Sequence, residues 1–262
     1  MKRILLLTTL LALLGSLPAA AARSRSIKGS GVLRTETRDT KPFTGLKVAR
    51  GIAATLTDDP AGKLVVEADE KIIDYVRTTV DDDGVLRLTI DDDVRSISNC
   101  TVRIGVPTPA ALRSLKASSG AMTTCQRVVK APKLDVKASS GACVEIAFEG
   151  DGCTLEASSG SRIKANLAVG RCAVDAGSGA AVDAKGTAGE CRIHTSSGAA
   201  CNARNLLTRI AEARASSGAS IRISCSEKLD AAASSGGSVA YWGDCRLVNY
   251  KKSLTGSVTH KR

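Results

Sequence analysis

The chain of 262 residues carries a formal net charge of +11, nine cysteines and only 2% aromatic residues. Such a basic balance favours an anionic partner, acidic polysaccharide or phosphorylated headgroups among them, while the scarcity of aromatics removes the stacking platforms on which dedicated nucleic-acid binders rely. Beyond residue 22 no stretch is long and apolar enough to span a bilayer as a helix, so no transmembrane segment is expected in the mature chain.

At the start, Met1-Lys2-Arg3 precedes an apolar run from Ile4 to Leu14, interrupted only by Thr8 and Thr9, and Leu17-Pro18-Ala19-Ala20-Ala21-Ala22 follows. A basic start, an apolar run too short for an anchor and small residues at a cleavage point predict a signal peptide over 1–22. No cysteine stands near that point to accept a lipid, so the expectation is a periplasmic, outer-surface or secreted product, not a lipoprotein, with 23–262 as one domain.

From Gly31 to Pro109 the pattern predicts strands. Val32 to Thr37 alternates, Leu46 to Leu56 is interrupted by Gly51, Lys63 to Glu67 is a β-type run and Val85 to Ile90 alternates again, with a helical turn expected within Glu70 to Val76. Asp81-Asp82-Asp83-Gly84 suits a tight turn. A second acidic run, Asp91-Asp92-Asp93, follows the next strand; neither run has the spaced oxygens of a calcium loop, and both read as solvated turns.

From Leu112 to the end, over 112–262, one motif recurs: Ser118-Ser119-Gly120 returns at 139–141, 158–160, 196–198, 216–218 and 234–236, with Gly-Ser-Gly at 177–179. The repeat glycines are Gly120, Gly141, Gly160, Gly179, Gly198, Gly218 and Gly236, with Thr255-Gly256-Ser257 as a worn last copy, always 18 to 21 residues apart. Three residues after the glycines stand Thr123, Val144, Ile163, Val182, Cys201, Ile221 and Val239; five before them stand Leu115, Val136, Leu155, Val174, Ile193, Ala213 and Ala231. Small residues, mostly alanine, stand three before each glycine, whereas the position before that holds Lys116, Lys137, Glu156, Asp175, His194 and Arg214. Neighbours thus face opposite ways, as on a strand, with one strand before and one after each turn. Equivalent strands from successive copies must stack in parallel. The expected fold is all-β: a single-stranded parallel β-solenoid of about eight rungs, about 19–20 residues each, with Ser-Ser-Gly corners. With no histidine at a fixed offset, the serines read as a structural ladder and not as nucleophiles.

Phe43-Thr44-Gly45-Leu46-Lys47-Val48, Gly51-Ile52, Lys63 to Ala68, Gly84 to Leu88 and the Ser-Gly turns together resemble the bacterial family described as putative auto-transporter adhesin, head GIN domain, over roughly Phe43 to Gly256. The chain departs from the name-giving Gly-Ile-Asn, with Ala53 in the third place. The resemblance implies an exported β-helical protein with an adhesin-like role, and carries over no catalytic residue.

Cys153, Cys172 and Cys191, spaced by 19, should form an inward ladder of free thiols, since in-register neighbours rarely present disulfide geometry. No Cys-x-x-Cys occurs and His194 and His260 are isolated, so neither metal nor cofactor is expected. Parallel β-helices also carry polysaccharide-acting enzymes, for which Glu145, Lys164, Asp183 and Arg222, or Glu156, Asp175, His194 and Arg214, are the outward candidates; alternating signs argue for mutual neutralisation between neighbours. Tyr241, Trp242 and Tyr250 with Lys251 and Lys252 form a candidate glycan-binding group, weighed against an end cap. The function expected is a non-enzymatic, adhesin-like or ligand-binding envelope protein for a glycan or anionic surface, with a polysaccharide-acting enzyme or a self-assembling module as alternatives.

Overall fold

The computed structural model describes residues 25–58, 62–253 and 255–262, and of Val248, Tyr250 and Lys252 the backbone alone. The signal peptide expected over 1–22 lies outside the described residues. The strands are β1 (Arg25–Lys28), β2 (Leu33–Arg38), β3 (Gly45–Val48), β4 (Ala53–Thr57), β5 (Leu64–Asp69), β6 (Val76–Val80), β7 (Val85–Ile90), β8 (Val94–Ser98), β9 (Val102–Pro107) and β10 (Ser114–Ala117). They continue as β11 (Met122–Lys130), β12 (Lys133–Ala138), β13 (Cys143–Ala157), β14 (Arg162–Ala176), β15 (Ala181–Thr195), β16 (Ala200–Ala215), β17 (Ser220–Ala233), β18 (Ser238–Trp242), β19 (Arg246–Lys252) and β20 (Ser257–His260). The expected helical turn is a 3-10 turn at Ile73–Tyr75.

From β10 onward each coil lies parallel on the one before, and the chain is a β-solenoid of about eight turns. Val144 stands over Ile163 and Ile163 over Val182, as counting from the glycines predicts. The strands before and after the turns do not stay separate in the middle coils. They run together into strands such as β14, whose burial alternates through Val169, breaks at the exposed pair Gly170 and Arg171, and resumes at Cys172. Two successive outward residues re-aim the side chains while the backbone ladder continues, so this second corner needs no turn.

The Ser-Ser-Gly corner is a two-residue turn with both central residues in the left-handed region, as in type I′. Ser159 has φ 52° and Gly160 φ 68°, and Ser161 N–H closes the turn on the Ser158 carbonyl at 3.2 Å. The ladder along the corner is made by backbone groups: Gly141 N–H donates to the Ser159 carbonyl and Gly160 N–H to the Ser178 carbonyl, each at 3.0 Å. Buried alanines flank the bend, Ala138 and Ala142 at one coil and Ala176 and Ala180 at another, because the tight reversal leaves little room between its arms. Ser161 takes such an alanine's place, satisfied by donating to the Ala138 carbonyl at 2.8 Å and accepting from Ser158 N–H at 3.0 Å.

Two corners depart from the count. Ala49-Arg50-Gly51-Ile52 is a further one, with φ 59° and 73° at its centre and Gly51 N–H on the Ser119 carbonyl. At the far end Ser257 pairs with Ser238, which sets Thr255 opposite Gly236 and Gly256 opposite Gly237. The last corner therefore closes from Gly256 N–H onto the Ser253 carbonyl at 3.1 Å, and Thr255, one residue before Gly256, takes the place of the repeat glycine. There the Thr255 hydroxyl accepts the Gly236 N–H at 3.2 Å.

The N-terminal third changes the order of stacking. β7 and β9 lie parallel to β3 and β4 on the side away from β10 and β11, so the outermost coil comes later in the chain than the one it covers. Its remaining edges are closed by antiparallel partners, β6 on β7 and β5 on β9, with β2 beyond β5. A solenoid end otherwise exposes unpaired backbone, and reversed strands cover it. Asp69 fastens this cap: 1% exposed, it accepts N–H groups of Gly31 at 2.8 Å and Lys71 at 3.0 Å.

Candidate binding faces

Because the pleat sends every second side chain outward, each face of the solenoid carries straight rows in which one residue per coil stands beside its neighbour about 4.8 Å away. On the face following the corner, Thr124, Glu145, Lys164, Asp183, Asn202 and Arg222 make one row. Neighbours along it offset one another: Lys164 Nζ lies 4.0 Å from Glu145, and Asn202 Nδ2 donates to Asp183 at 3.2 Å. A shallow groove of about 380 Å³ runs beside them, lined also by Asn166, Lys185 and Asn205. Amides and charges of both signs give it donors and acceptors at close intervals.

On the face preceding the corner, Lys116, Lys137, Glu156, Asp175, His194 and Arg214 share a second row. The structure extends it at the N-terminal end by Lys47, which pairs with Lys116, and Arg87, which pairs with Lys47. Sequence counting missed these two because no Ser-Ser-Gly follows them. The signal was present in the triplets Leu46-Lys47-Val48 and Leu86-Arg87-Leu88, which share the apolar-cation-apolar order of Leu115-Lys116-Ala117. A groove of about 430 Å³ lies between Lys137, Glu156, Asp175 and His194 on one side and the corner serines Ser139 and Ser158 on the other.

Ion pairs on both faces join neighbouring coils. Lys137 Nζ lies 2.8 Å from Glu156, and that hydrogen bond raises the lysine's pKa. Glu212 receives Arg192 at 2.9 Å and Arg214 at 2.6 Å; burial pushes its carboxyl up, and the two guanidinium groups more than offset this and hold it below the usual carboxylate range. The acidic turns are held by their own backbone: Asp81 accepts Val85 N–H at 2.9 Å and Arg87 Nε at 2.7 Å, and Asp91 accepts Asp93 N–H at 3.2 Å and Arg77 Nε at 2.9 Å.

Tyr241, Trp242 and Lys251 do not converge. Tyr241 takes the next coil's place in the row that holds buried Ile223, and its ring stacks on His260 with centroids 4.7 Å apart, so it closes the end of the core. Trp242 is half-buried beneath the Arg204 guanidinium, 4.6 Å from the ring centroid. Lys251 is exposed on β19, in the other strip of sheet. The side chains of Tyr250 and Lys252 lie outside the described residues.

Inside the coil Cys153, Cys172 and Cys191 stand in register, each buried, and all nine cysteines are free. Burial pushes the Cys153 and Cys201 thiols up and lifts Cys125 to about 12, while a hydrogen bond with Cys172, together with burial, raises Cys191. Protonated, enclosed thiols are poor ligands and nucleophiles. Among the described residues no three histidine, cysteine or carboxylate side chains gather as a metal would require.

Solved structures share this architecture. A putative adhesin from Parabacteroides merdae superposes with a TM-score of 0.82 at 18% identity, over 90% of this chain and 99% of its own. A putative lipid binding protein from Parabacteroides distasonis gives 0.78 at 18% identity, over 91% and 100%. A putative adhesin from Bacteroides fragilis gives 0.66 at 20%, over 90% and 100%. A search of curated proteins finds no match. The profile described as putative auto-transporter adhesin, head GIN domain, matches residues 42–245, and the chain belongs to that family.

Proposed function

We propose that this chain is an exported, non-catalytic binding protein of the bacterial cell envelope, adhesin-like, that holds a glycan or anionic surface against the outer faces of its solenoid. The observation that carries the reading is where its polar chemistry lies. The interior is filled by apolar ladders, and two shallow, open grooves face outward, one on each face, lined by ionic and hydrogen-bonding side chains. Open polar grooves on a rigid scaffold suit a ligand longer than the site, such as a polymer or a surface, whereas small substrates favour enclosed and largely apolar cavities. The family's adhesin description agrees with this reading.

The test is a panel of immobilised envelope glycans and anionic polymers probed with the mature chain at low and high salt. Saturable retention of one class, weakened by salt and without release of shortened saccharide, is the expected result. Retention of none at any ionic strength would remove the reading. Shortened products that vanish in Glu156→Ala or Asp175→Ala would replace it with a polysaccharide-acting enzyme.

A further inference from the structure

Most outward rows place opposite charges or neutral residues in adjacent coils, as Lys130 with Glu149 at 3.0 Å, Arg192 with Glu212 and Arg209 with Glu227 at 2.7 Å show. Like charges meet at single steps elsewhere, Glu212 beside Asp230 and Lys228 beside Arg246, but one row carries a run of them. Arg87, Lys47, Lys116 and Lys137 follow one another in register, four cations in four adjacent coils. The run spans about 14 Å at about 4.8 Å per step, and each step is shorter than the Debye length of about 10 Å at 0.1 M salt, so the repulsion between neighbours is not screened. Like charges directly opposite destabilise a sheet. Carboxylates relieve only the two ends, Asp81 on Arg87 and Glu156 on Lys137; among the described residues Lys47 and Lys116, both exposed, have no ionic partner. Beside the cations runs the row of half-buried corner hydroxyls, Ser118 and Ser139, with Ala49 and Thr89 in the equivalent places.

Resting on the binding role proposed above, we propose that this ladder is the docking line for a linear acidic polysaccharide, a polymer of carboxylated sugars lying along the solenoid axis across the coils of β7, β3, β10 and β12. The polymer's carboxylates supply the counter-charge that Lys47 and Lys116 lack, and its sugar hydroxyls meet the serine row. The narrowness of the line selects a chain over a membrane. The next outward row holds Asp135, and the ladder's own row turns acidic at Glu156 and Asp175, so an anionic plane laid on this face would press against carboxylates that a single thread along the cations avoids.

The experiment is titration of the full mature chain with polygalacturonate, with neutral dextran and with phosphatidylglycerol vesicles in parallel arms, repeated for the double variant Lys47→Gln/Lys116→Gln and for Lys228→Gln, an exposed lysine of β17 outside both grooves. The expected result is binding of polygalacturonate alone, weakened by about tenfold or more in the double variant and unchanged in Lys228→Gln. The double variant should melt no lower than the wild type, because it removes repulsion, and this separates lost binding from lost fold. Equal weakening by Lys228→Gln, or binding indifferent to the double variant, would overturn the ladder as the site while leaving a binding protein. Vesicle binding without polygalacturonate binding would overturn it in favour of a membrane. Failure of every arm, together with an empty glycan panel, would remove the binding role itself.

Discussion

Replacing Gly160 by valine should destabilise the coil through the backbone alone, because a Cβ added at that position meets nothing within 4 Å. The cost follows from φ 68°, a region that β-branched residues avoid. Holding a non-glycine residue there costs about 1–3 kcal/mol. Relaxing to negative φ would instead pull Gly160 N–H from the Ser178 carbonyl and disturb the adjoining bond from Gly141 N–H to the Ser159 carbonyl. Gly160→Asn is the internal control, since asparagine tolerates this conformation and should cost much less. Lys164→Ala, on the outward row with its carboxylate 4.0 Å away, should change stability by no more than about 0.5 kcal/mol. Urea unfolding followed by circular dichroism reads all three as shifts in midpoint at constant slope. Equal losses for valine and asparagine, or for Gly160→Val and Lys164→Ala, would refute both the turn geometry and the assignment of faces.

Three further outcomes are expected. Thr123 is fully buried with an unpartnered hydroxyl in the ladder where Val144 and Val182 stand, so Thr123→Val should stabilise by about 1 kcal/mol, read as a Tm rise of a few degrees; a fall would contradict the burial assigned to that row. The thiols of Cys125, Cys153, Cys191 and Cys201 are raised in the folded state, so the unfolded chain loses its protons first as pH rises: stability should be level below the ordinary thiol pKa of about 8.5 and decline above it, and a Tm that climbs from pH 8 to 10 would contradict their burial. Asp69 has the opposite sign. Burial pushes its carboxyl up, but the N–H groups of Lys71, Gly31 and Ser30 outweigh this and hold it below the usual value, so its contribution is present above about pH 4 and lost as pH falls through the lowered pKa; Asp69→Asn should flatten the acid limb of the stability profile, and an unchanged limb would contradict the cap contact.

The repeat made the main solenoid legible because every copy restates the same constraints. A period near 19, an alternation of two and a corner that admits serine and glycine place Ile163 inward and Lys164 outward without further information. The N-terminal third was legible only as strands. Which strand neighbours which is decided there by pairings between segments about 40–70 residues apart, as when Val85 comes to lie beside Gly45 and Gly45 beside Ser114, and no local pattern encodes that order. Arg50-Gly51 escaped notice as a corner because the left-handed pair needs glycine only at its second place, and arginine at the first hides the motif. The cationic ladder was hidden for the same reason, since two of its four members come from strands outside the repeat. The acidic, histidine and arginine members of that row, and the row of Glu145, Lys164 and Asp183, were placed by counting alone. Thr255 shows the limit of counting, where a one-residue shift put a threonine in the repeat glycine's place and its hydroxyl on the Gly236 N–H.

The most direct measurement of the binding line is lysine acetylation of the mature chain, resolved by mass spectrometry, with and without saturating polygalacturonate. Lys47, Lys116, Lys164 and Lys185 are all exposed in the free protein. Protection of Lys47 and Lys116 upon binding, with Lys164 and Lys185 reacting as before, is the result predicted. Uniform protection, or protection confined to Lys164 and Lys185, would contradict a docking line along the cation ladder.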